Sequence, residues 1–475
     1  MLFNSFEFLI FFPVVTILFF LLPHKIRWLL LLLASCFFYM FFKPEYILIL
    51  FFTIIVDYYA GILIERTQNP GARRRFLIMS LIANIGVLAV FKYFNFFNDN
   101  ITGIASFFGF TNHIPYLRML LPIGLSFHTF QAMSYTIEVY RGNHKAEKHF
   151  GIYALYVMFY PQLVAGPIER PQNILYQFHE KHYFDKQKMV SGLKLMLYGF
   201  FKKIVVADRL SIYVDSVYND PANHHGFQVI VAMIFFAFQI YCDFSGYTDI
   251  ARGSARVMGF ELMPNFNRPY SATSVSEFWK KWHISLSTWF RDYLYIPMGG
   301  NRVSRARNCF NLFVTFCISG FWHGAGWTFI IWGLLHGLAT SYEFLTKNFR
   351  KRLSKSIAPG IYNPISLALT FLFVLFAWVF FRAASIHDAF VILANSTVGL
   401  KDTVNAFRLQ FYDFLVLAFF LLIEYMWYKK NLLKSFVFKT NVQWRIAAVS
   451  YYSLLFWLIV VWGVFEKKSF IYFQF

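Results

Sequence analysis

Charge is scarce in this sequence. Asp, Glu, Lys and Arg make up 14% of the 475 residues, where an average soluble chain carries about 25%. Acids are the scarcer kind, 24 against 44 basic residues, for a formal net charge of +20. There are four cysteines, Cys36, Cys242, Cys309 and Cys317, scattered in or beside apolar runs. Their spacing fits neither a zinc site nor a disulfide framework, so they read as small packing residues, and no metal is expected. The chain contains no P-loop, no G-x-S-x-G elbow and no H-E-x-x-H, which leaves ATP-driven transport without support. Internal repeats and low-complexity segments are also missing. The first apolar run, from Phe6 to Leu22, lacks a basic leader and a small-residue cleavage site, and is expected to be a retained first helix.

What the sequence has instead is apolar surface. It is 58% hydrophobic, with 63 Phe, 29 Tyr and 12 Trp, more than a soluble domain of this length can bury. Apolar runs of roughly 15 to 24 residues recur throughout, which suits bilayer crossings. A barrel would show short alternating strands in their place. The expected fold is therefore all-α, a polytopic transmembrane helical bundle of about 11 to 13 spans, built as one continuous domain over residues 1–475. Candidate crossings lie near 7–22, 28–42, 46–64, 76–95, 119–140, 152–167, 190–206, 227–247, 309–322, 327–344, 364–381, 411–428 and 445–465. The basic loops His24 to Arg27, Glu65 to Arg75 and Arg141 to His149 alternate with loops that are not basic. By the positive-inside rule they are cytoplasmic and the N-terminus is outside. Topology thus accounts for the excess of Lys and Arg, with no nucleic-acid partner expected; these charges also offer attraction to an anionic cytoplasmic substrate.

Two stretches depart from simple crossings. "YPQLVAGP", Tyr160 to Pro167, carries helix breakers and is expected to be re-entrant, its freed backbone groups satisfied by surrounding protein. Lys202 and Lys203 crowd the end of the next run, which leaves the span count open. In "EFWKKWHISLSTWFRDYLYIP", Glu277 to Pro297, Phe278, Trp282, Leu286, Trp289, Tyr293 and Ile296 recur at helical spacing, with Lys280, Lys281 and Arg291 largely off that face. This predicts an interfacial helix lying on or dipping into the cytoplasmic leaflet.

Most of the 13 histidines sit in polar loops; His128, His283, His323 and His336 fall in apolar or interfacial segments. His323 lies in "CISGFWHGAGW", Cys317 to Trp327, among Gly320, Gly324, Gly326, Trp322 and Trp327. That glycine density loosens a helix and frees backbone N–H groups near a ring that can serve as general base, while freed N–H groups or an indole N–H steady an oxyanion. The competing reading is a structural histidine bonded to a neighbouring helix. His336, thirteen positions on, shares a site with His323 only if the chain folds back at the glycines, and reads as structural, as does His128. His283, with its basic and aromatic neighbours, suits a phosphate-bearing ligand or, equally, an anchoring helix with a snorkelling polar face. Asp243 and Arg252 follow an apolar run and are expected either to pair or to line a polar cavity. The residues expected to contact substrate are Trp322, Asp243, Arg252, Lys281 and Trp282.

Four motifs in order, "FYPQLVAGPIER" (Phe159 to Arg170), "YCDFSGYTDIARG" (Tyr241 to Gly253), "FWKKWHISLSTWFRDYLYIPMGGNR" (Phe278 to Arg302) and "SGFWHGAGWTFIIWGLLHG" (Ser319 to Gly337), resemble membrane-bound O-acyltransferases, and within them the bacterial polysaccharide branch that serves alginate O-acetylation. The resemblance covers nearly the full chain. It implies that His323, of the "WHG" triplet, is the catalytic residue and His283, of "KWHIS", a second functional histidine. It further implies an acetyl group taken from cytoplasmic acetyl-CoA, a substrate and not a bound cofactor. That group crosses to an exported polysaccharide through an extracytoplasmic acetyltransferase partner, in the bacterial inner membrane. A D-alanyl or peptidoglycan acceptor system, and a transporter or scaffold without chemistry, are the alternatives.

Overall fold

A computed structural model of the protein describes residues 1–118, 122–399, 410–428, 441–466 and 470–471. The start of the 119–140 candidate and the basic run Lys429 to Lys434 fall outside the described residues. Among those described, every regular element is helical, as an apolar chain requires when its backbone groups must be satisfied within each segment. Five helices are long and apolar enough to cross a bilayer: Pro44–Arg66, Pro70–Phe107, Phe227–Val257, Pro359–Arg382 and Arg445–Trp462. Shorter apolar helices, such as Phe6–Leu21, account for other runs seen in the sequence. The protein is a multi-pass membrane protein with an all-α fold.

The chain forms two compact units. The first comprises Met1–Met196 and Ile250–Met263, the second Leu197–Asp249 and the described residues from Pro264 onward. Within the first unit a carboxyl lies deep in an apolar helix. Asp57, of helix Ile47–Arg66, is fully buried and accepts hydrogen bonds from Ser80 Oγ at 2.6 Å and Asn84 Nδ2 at 2.9 Å. Ser80 also bonds Thr136 Oγ1 at 2.9 Å, so one polar knot joins the helices Ile47–Arg66, Pro70–Leu88 and Leu125–Arg141. Buried polar groups are tolerated when paired in this way. In the same unit the helix Phe150–Met158 breaks at Phe159 and resumes for one turn, Tyr160–Leu163, all of it buried. The Tyr156 carbonyl, released from the ladder by the break, accepts from Gln131 Nε2 and Gln162 Nε2 at 2.5 and 2.9 Å. The helix breakers of "YPQLVAGP" act as the sequence predicts.

The second unit is organised around a hairpin of the helices Arg305–His323 and Trp327–Leu345. Their backbones touch. A Cβ on Gly320 would lie 2.3 Å from the Phe329 carbonyl oxygen, and one on Gly333 would lie 2.3 Å from that of Phe316. Only glycine fits at either position, and small residues are the usual means of close helix approach in membranes. The turn is made by Gly324 and Gly326 in extended conformation. Replacing Gly333 with alanine is expected to cost about 1–3 kcal/mol through overpacking. Thermal unfolding in detergent should then occur several degrees lower, and an unchanged melting curve would refute this account of the hairpin.

Candidate active site

His323 is the last residue of the first hairpin helix, with Gly324 as its C-cap. Its side chain is 3% exposed. Its ring centroid lies 4.9 Å from Trp322, 5.0 Å from Trp332, 5.4 Å from Phe381 and 6.5 Å from His283. The imidazole therefore faces aromatic side chains of its own unit and not the surrounding lipid. Because the chain folds back at the glycines, Trp332 stands between His323 and His336, 5.0 Å from each. The Nδ1 atom of His336 accepts the Trp279 indole N–H at 3.1 Å, a structural role that matches the sequence reading. His128 sits in the first unit, near Thr53 at 3.4 Å.

The segment expected to be one interfacial helix is divided. A helix over Val275–Lys281 ends at Trp282, which is extended; His283 takes a left-handed conformation, φ 43 and ψ 55; a second helix runs Ile284–Phe290 and continues as a wider turn over Arg291–Tyr295. Phe278, Trp282, Leu286 and Trp289 are all buried. Along this face the side chains up to Trp289 fill the protein interior, while Tyr293 is half-buried and Ile296 is 55% exposed. His283 is 0% exposed, and such strain at a non-glycine residue is held in place only by its surroundings.

Asn265 supplies those surroundings. Its Oδ1 atom lies 3.1 Å from His283 Nδ1, 3.1 Å from the Ser285 backbone nitrogen and 3.0 Å from Ser285 Oγ. A backbone N–H can only donate, so the asparagine atom facing it is the oxygen. That oxygen accepts from His283 in turn, which places the proton on Nδ1 and makes Nε2 the ring's basic nitrogen. The backbone bonds Asn267 N to Lys281 O and Ile284 N to Asn265 O, each 2.9 Å, fasten the same two strands of chain together.

The remaining expected contacts divide. Trp322 lies against His323 and 6.3 Å from His283, and Trp282 is buried in the same unit, 5.0 Å from Trp378. Lys281 lies beside a different cavity, pairing with Glu277 at 2.7 Å and donating to Ser271 Oγ at 3.0 Å. Burial works against ionisation of Glu277, but the hydrogen bond from Lys281 and those from Thr273 outweigh it and hold the carboxyl below its usual range. Asp243 and Arg252 do not pair. Nine positions along a helix is two and a half turns, which sends two side chains to opposite faces. Asp243 pairs with Lys203 at 2.7 Å and accepts the Ile471 backbone N–H at 2.8 Å; Arg252, in the first unit, donates from Nε to the Leu262 carbonyl at 3.2 Å.

Two features escaped the sequence reading. Lys202 and Lys203, read as charges at the end of a crossing, lie buried in a π-helical turn, Phe201–Ala207. Lys202 pairs with Asp249 at 2.5 Å, and Lys203 with Asp208 at 2.8 Å as well as with Asp243. Trp332 is the second. It is completely buried, its indole N–H has no acceptor among the described residues, and it lies one ring from His323. The sequence signal that could have found it is its neighbour Gly333, which meets Gly320 across the hairpin. Among the described residues no group of His, Cys, Asp and Glu has the geometry to hold a metal ion. A cavity of about 230 Å³ is bordered by Arg291, Tyr295, Ser287, Thr315 and Ser319, the last of these one helical turn before His323.

Lys203→Met removes the cation between two buried carboxyls, and is expected to destabilise the protein by about 3–5 kcal/mol. Chemical or thermal unfolding of the purified protein checks this. A loss below about 1 kcal/mol would mean that Asp208 and Asp243 do not depend on it.

Residues 149–386 match MBOAT, the membrane-bound O-acyltransferase family. The chain is 37% identical over 379 residues to a peptidoglycan O-acetyltransferase of Helicobacter pylori, covering 74% of this chain and 69% of that protein. It is 40% identical over 337 residues to a probable alginate O-acetylase of Pseudomonas aeruginosa, covering 70% and 63%. It is 38% identical over 397 residues to the corresponding protein of Azotobacter vinelandii, covering 82% and 76%. The chain thus spans just under two thirds of the Pseudomonas protein. His283 and His323 both lie inside the family match.

Proposed function

This chain belongs to the membrane-bound O-acyltransferase family, and on that footing we propose that it transfers an acetyl group from cytoplasmic acetyl-CoA to hydroxyls of an exported polysaccharide or of peptidoglycan, with His323 as general base. The acceptor class rests on the names of its relatives, an alginate O-acetylase and a peptidoglycan O-acetyltransferase. Transfer to the final polymer passes through an extracytoplasmic partner protein, and the membrane is the bacterial inner one. The observation that carries this reading is the meeting of His283 and His323, 6.5 Å apart between centroids in a wall of aromatic rings, on segments far apart in sequence.

The chemistry follows from that geometry. His323 takes the proton of the attacking hydroxyl; its oxygen bonds to the acetyl carbonyl carbon and the carbon–sulfur bond breaks. The thiolate of coenzyme A leaves and regains the proton from the imidazolium. His283, its tautomer set by Asn265, presents Nε2 as a second acceptor on the same hydroxyl. The indole N–H of Trp332, whose ring lies 5.0 Å from that of His323 between centroids, is a donor suited to the oxygen that gains charge in the transition state. The 230 Å³ cavity lined by Arg291 and Ser319 supports an approach for the donor's thioester arm.

The test is release of free coenzyme A by the full chain in liposomes given acetyl-CoA, an acceptor saccharide and the extracytoplasmic partner. His323→Ala is expected to lower turnover at least about 100-fold while the protein still melts cooperatively; turnover close to that of the unaltered protein refutes the assignment. Trp332→Phe keeps the ring and removes the N–H. It is expected to lower kcat by about 100-fold with KM little changed, and a change confined to KM would remove Trp332 from the reaction.

A further inference from the structure

The second unit holds a larger cavity, about 620 Å³, that this reaction does not use. Its walls are aromatic, from Phe238, Tyr241, Tyr270 and Phe420, and three charged side chains border it: Arg268, Lys281 and Glu424. At its rim Leu421 and Tyr425 are 44% and 60% exposed, on the apolar helix Phe411–Tyr428. In a membrane protein such a surface is covered by acyl chains.

The charges are of both signs. Arg268 is held in left-handed backbone conformation, φ 47 and ψ 64; with His283 it is one of two non-glycine residues with positive φ among those described. Strain of this kind gathers at ligand sites. Lys281 reaches the same cavity from the chain that pairs with Asn267. Glu424 lies in the run "LAFFLLIEY", where its carboxyl accepts from Tyr198 Oη at 2.7 Å and Tyr241 Oη at 3.4 Å. An ionisable group in a membrane helix that lines a cavity is a marker of function.

We propose that this cavity binds the headgroup of a phospholipid with a primary ammonium. Arg268 and Lys281 hold the phosphate, Glu424 holds the ammonium among the aromatic rings, and the acyl chains leave over Leu421 and Tyr425. Charge complementarity selects this occupant. A polyanion such as coenzyme A gains the two cations but meets the Glu424 carboxyl. An anionic headgroup without an amine leaves Glu424 unused. A zwitterion offers a counter-charge to all three groups, with the Lys281 ammonium shared between the phosphate and Glu277, its partner at 2.7 Å; guanidinium matches phosphate geometry, and aromatic faces attract a cation.

The full-length protein, stripped of lipid in detergent and offered phosphatidylethanolamine, phosphatidylcholine and phosphatidylglycerol with identical acyl chains, provides the test, with bound lipid read by native mass spectrometry. Retention of phosphatidylethanolamine is expected to exceed that of the other two at least fivefold. Glu424→Gln should bring its ratio to phosphatidylglycerol near one, and Arg268→Ala should weaken all three. Melting curves check that each variant folds, and Lys281→Ala, altered at a half-buried side chain, replaces Arg268→Ala if the latter does not. Equal retention of the three lipids, or an undiminished preference in Glu424→Gln, overturns the proposal. So does displacement of the lipid by inorganic phosphate or phosphoethanolamine, which would make the site one for a soluble phosphate. Displacement by coenzyme A would assign the cavity to the donor and overturn it equally; loss of acetyl transfer in His323→Ala is read separately, so either reading can fail alone.

Discussion

The contact of two glycine backbones, Gly320 against Phe329 and Gly333 against Phe316, sets the distances on which the candidate active site depends. With any side chain between them the two hairpin helices would stand further apart, and His323 and Trp332 would separate with them. Lipid offers no hydrophobic force to drive such helices together, so close approach has to come from dispersion contacts between bare backbones. The hairpin then places His323 at the end of one helix and the rings of Trp332 and His336 along the face of the other. A residue at a helix terminus has its backbone carbonyl and side chain outside the repeating ladder, which frees His323 from the periodicity that governs its neighbours.

The second histidine is fixed by a different device. His283 occupies a backbone conformation that a histidine rarely adopts, and the Asn265 amide oxygen collects donors from His283 and from both polar groups of Ser285. Serine hydroxyl, serine amide and imidazole thus answer to one atom. The protein selects a tautomer by way of an acceptor that carries no charge, which in an apolar interior costs far less than a carboxylate would. The buried lysines of this unit stand in compensating sets: Lys203 lies between Asp208 and Asp243, and Lys202 against Asp249.

Much of this was legible in the sequence because it depends on local chemistry. The all-helical membrane fold follows from the apolar runs, the break at Phe159 from the proline and glycine beyond it, and the turn after His323 from Gly324 and Gly326. What was not legible depends on partners remote in sequence. Phe278, Trp282, Leu286 and Trp289 have a spacing that fits a membrane surface and a protein core equally well, and only the packing decides between them. The break at His283 comes from Asn265, eighteen positions earlier. The lysines read as boundary charges because Asp249 lies 47 positions from Lys202 and only Asp208, of the two partners of Lys203, is near it in sequence; helix geometry alone separates Asp243 from Arg252. Trp332 resembled any other aromatic of a crossing until the hairpin placed it beside an imidazole.

The lining of rings around His323 bears on water as well as on substrates. Thioesters and imidazoles together hydrolyse readily wherever solvent reaches them, and a catalyst at a membrane boundary has solvent on both sides. The rings of Trp322, Trp332 and Phe381 packed around His323 offer a water molecule few of the two to four polar partners it needs to stay. On the function proposed above, such an enclosure keeps water from a thioester beside His323 until the acceptor hydroxyl arrives, a protection separate from the hydrogen bond assigned to Trp332.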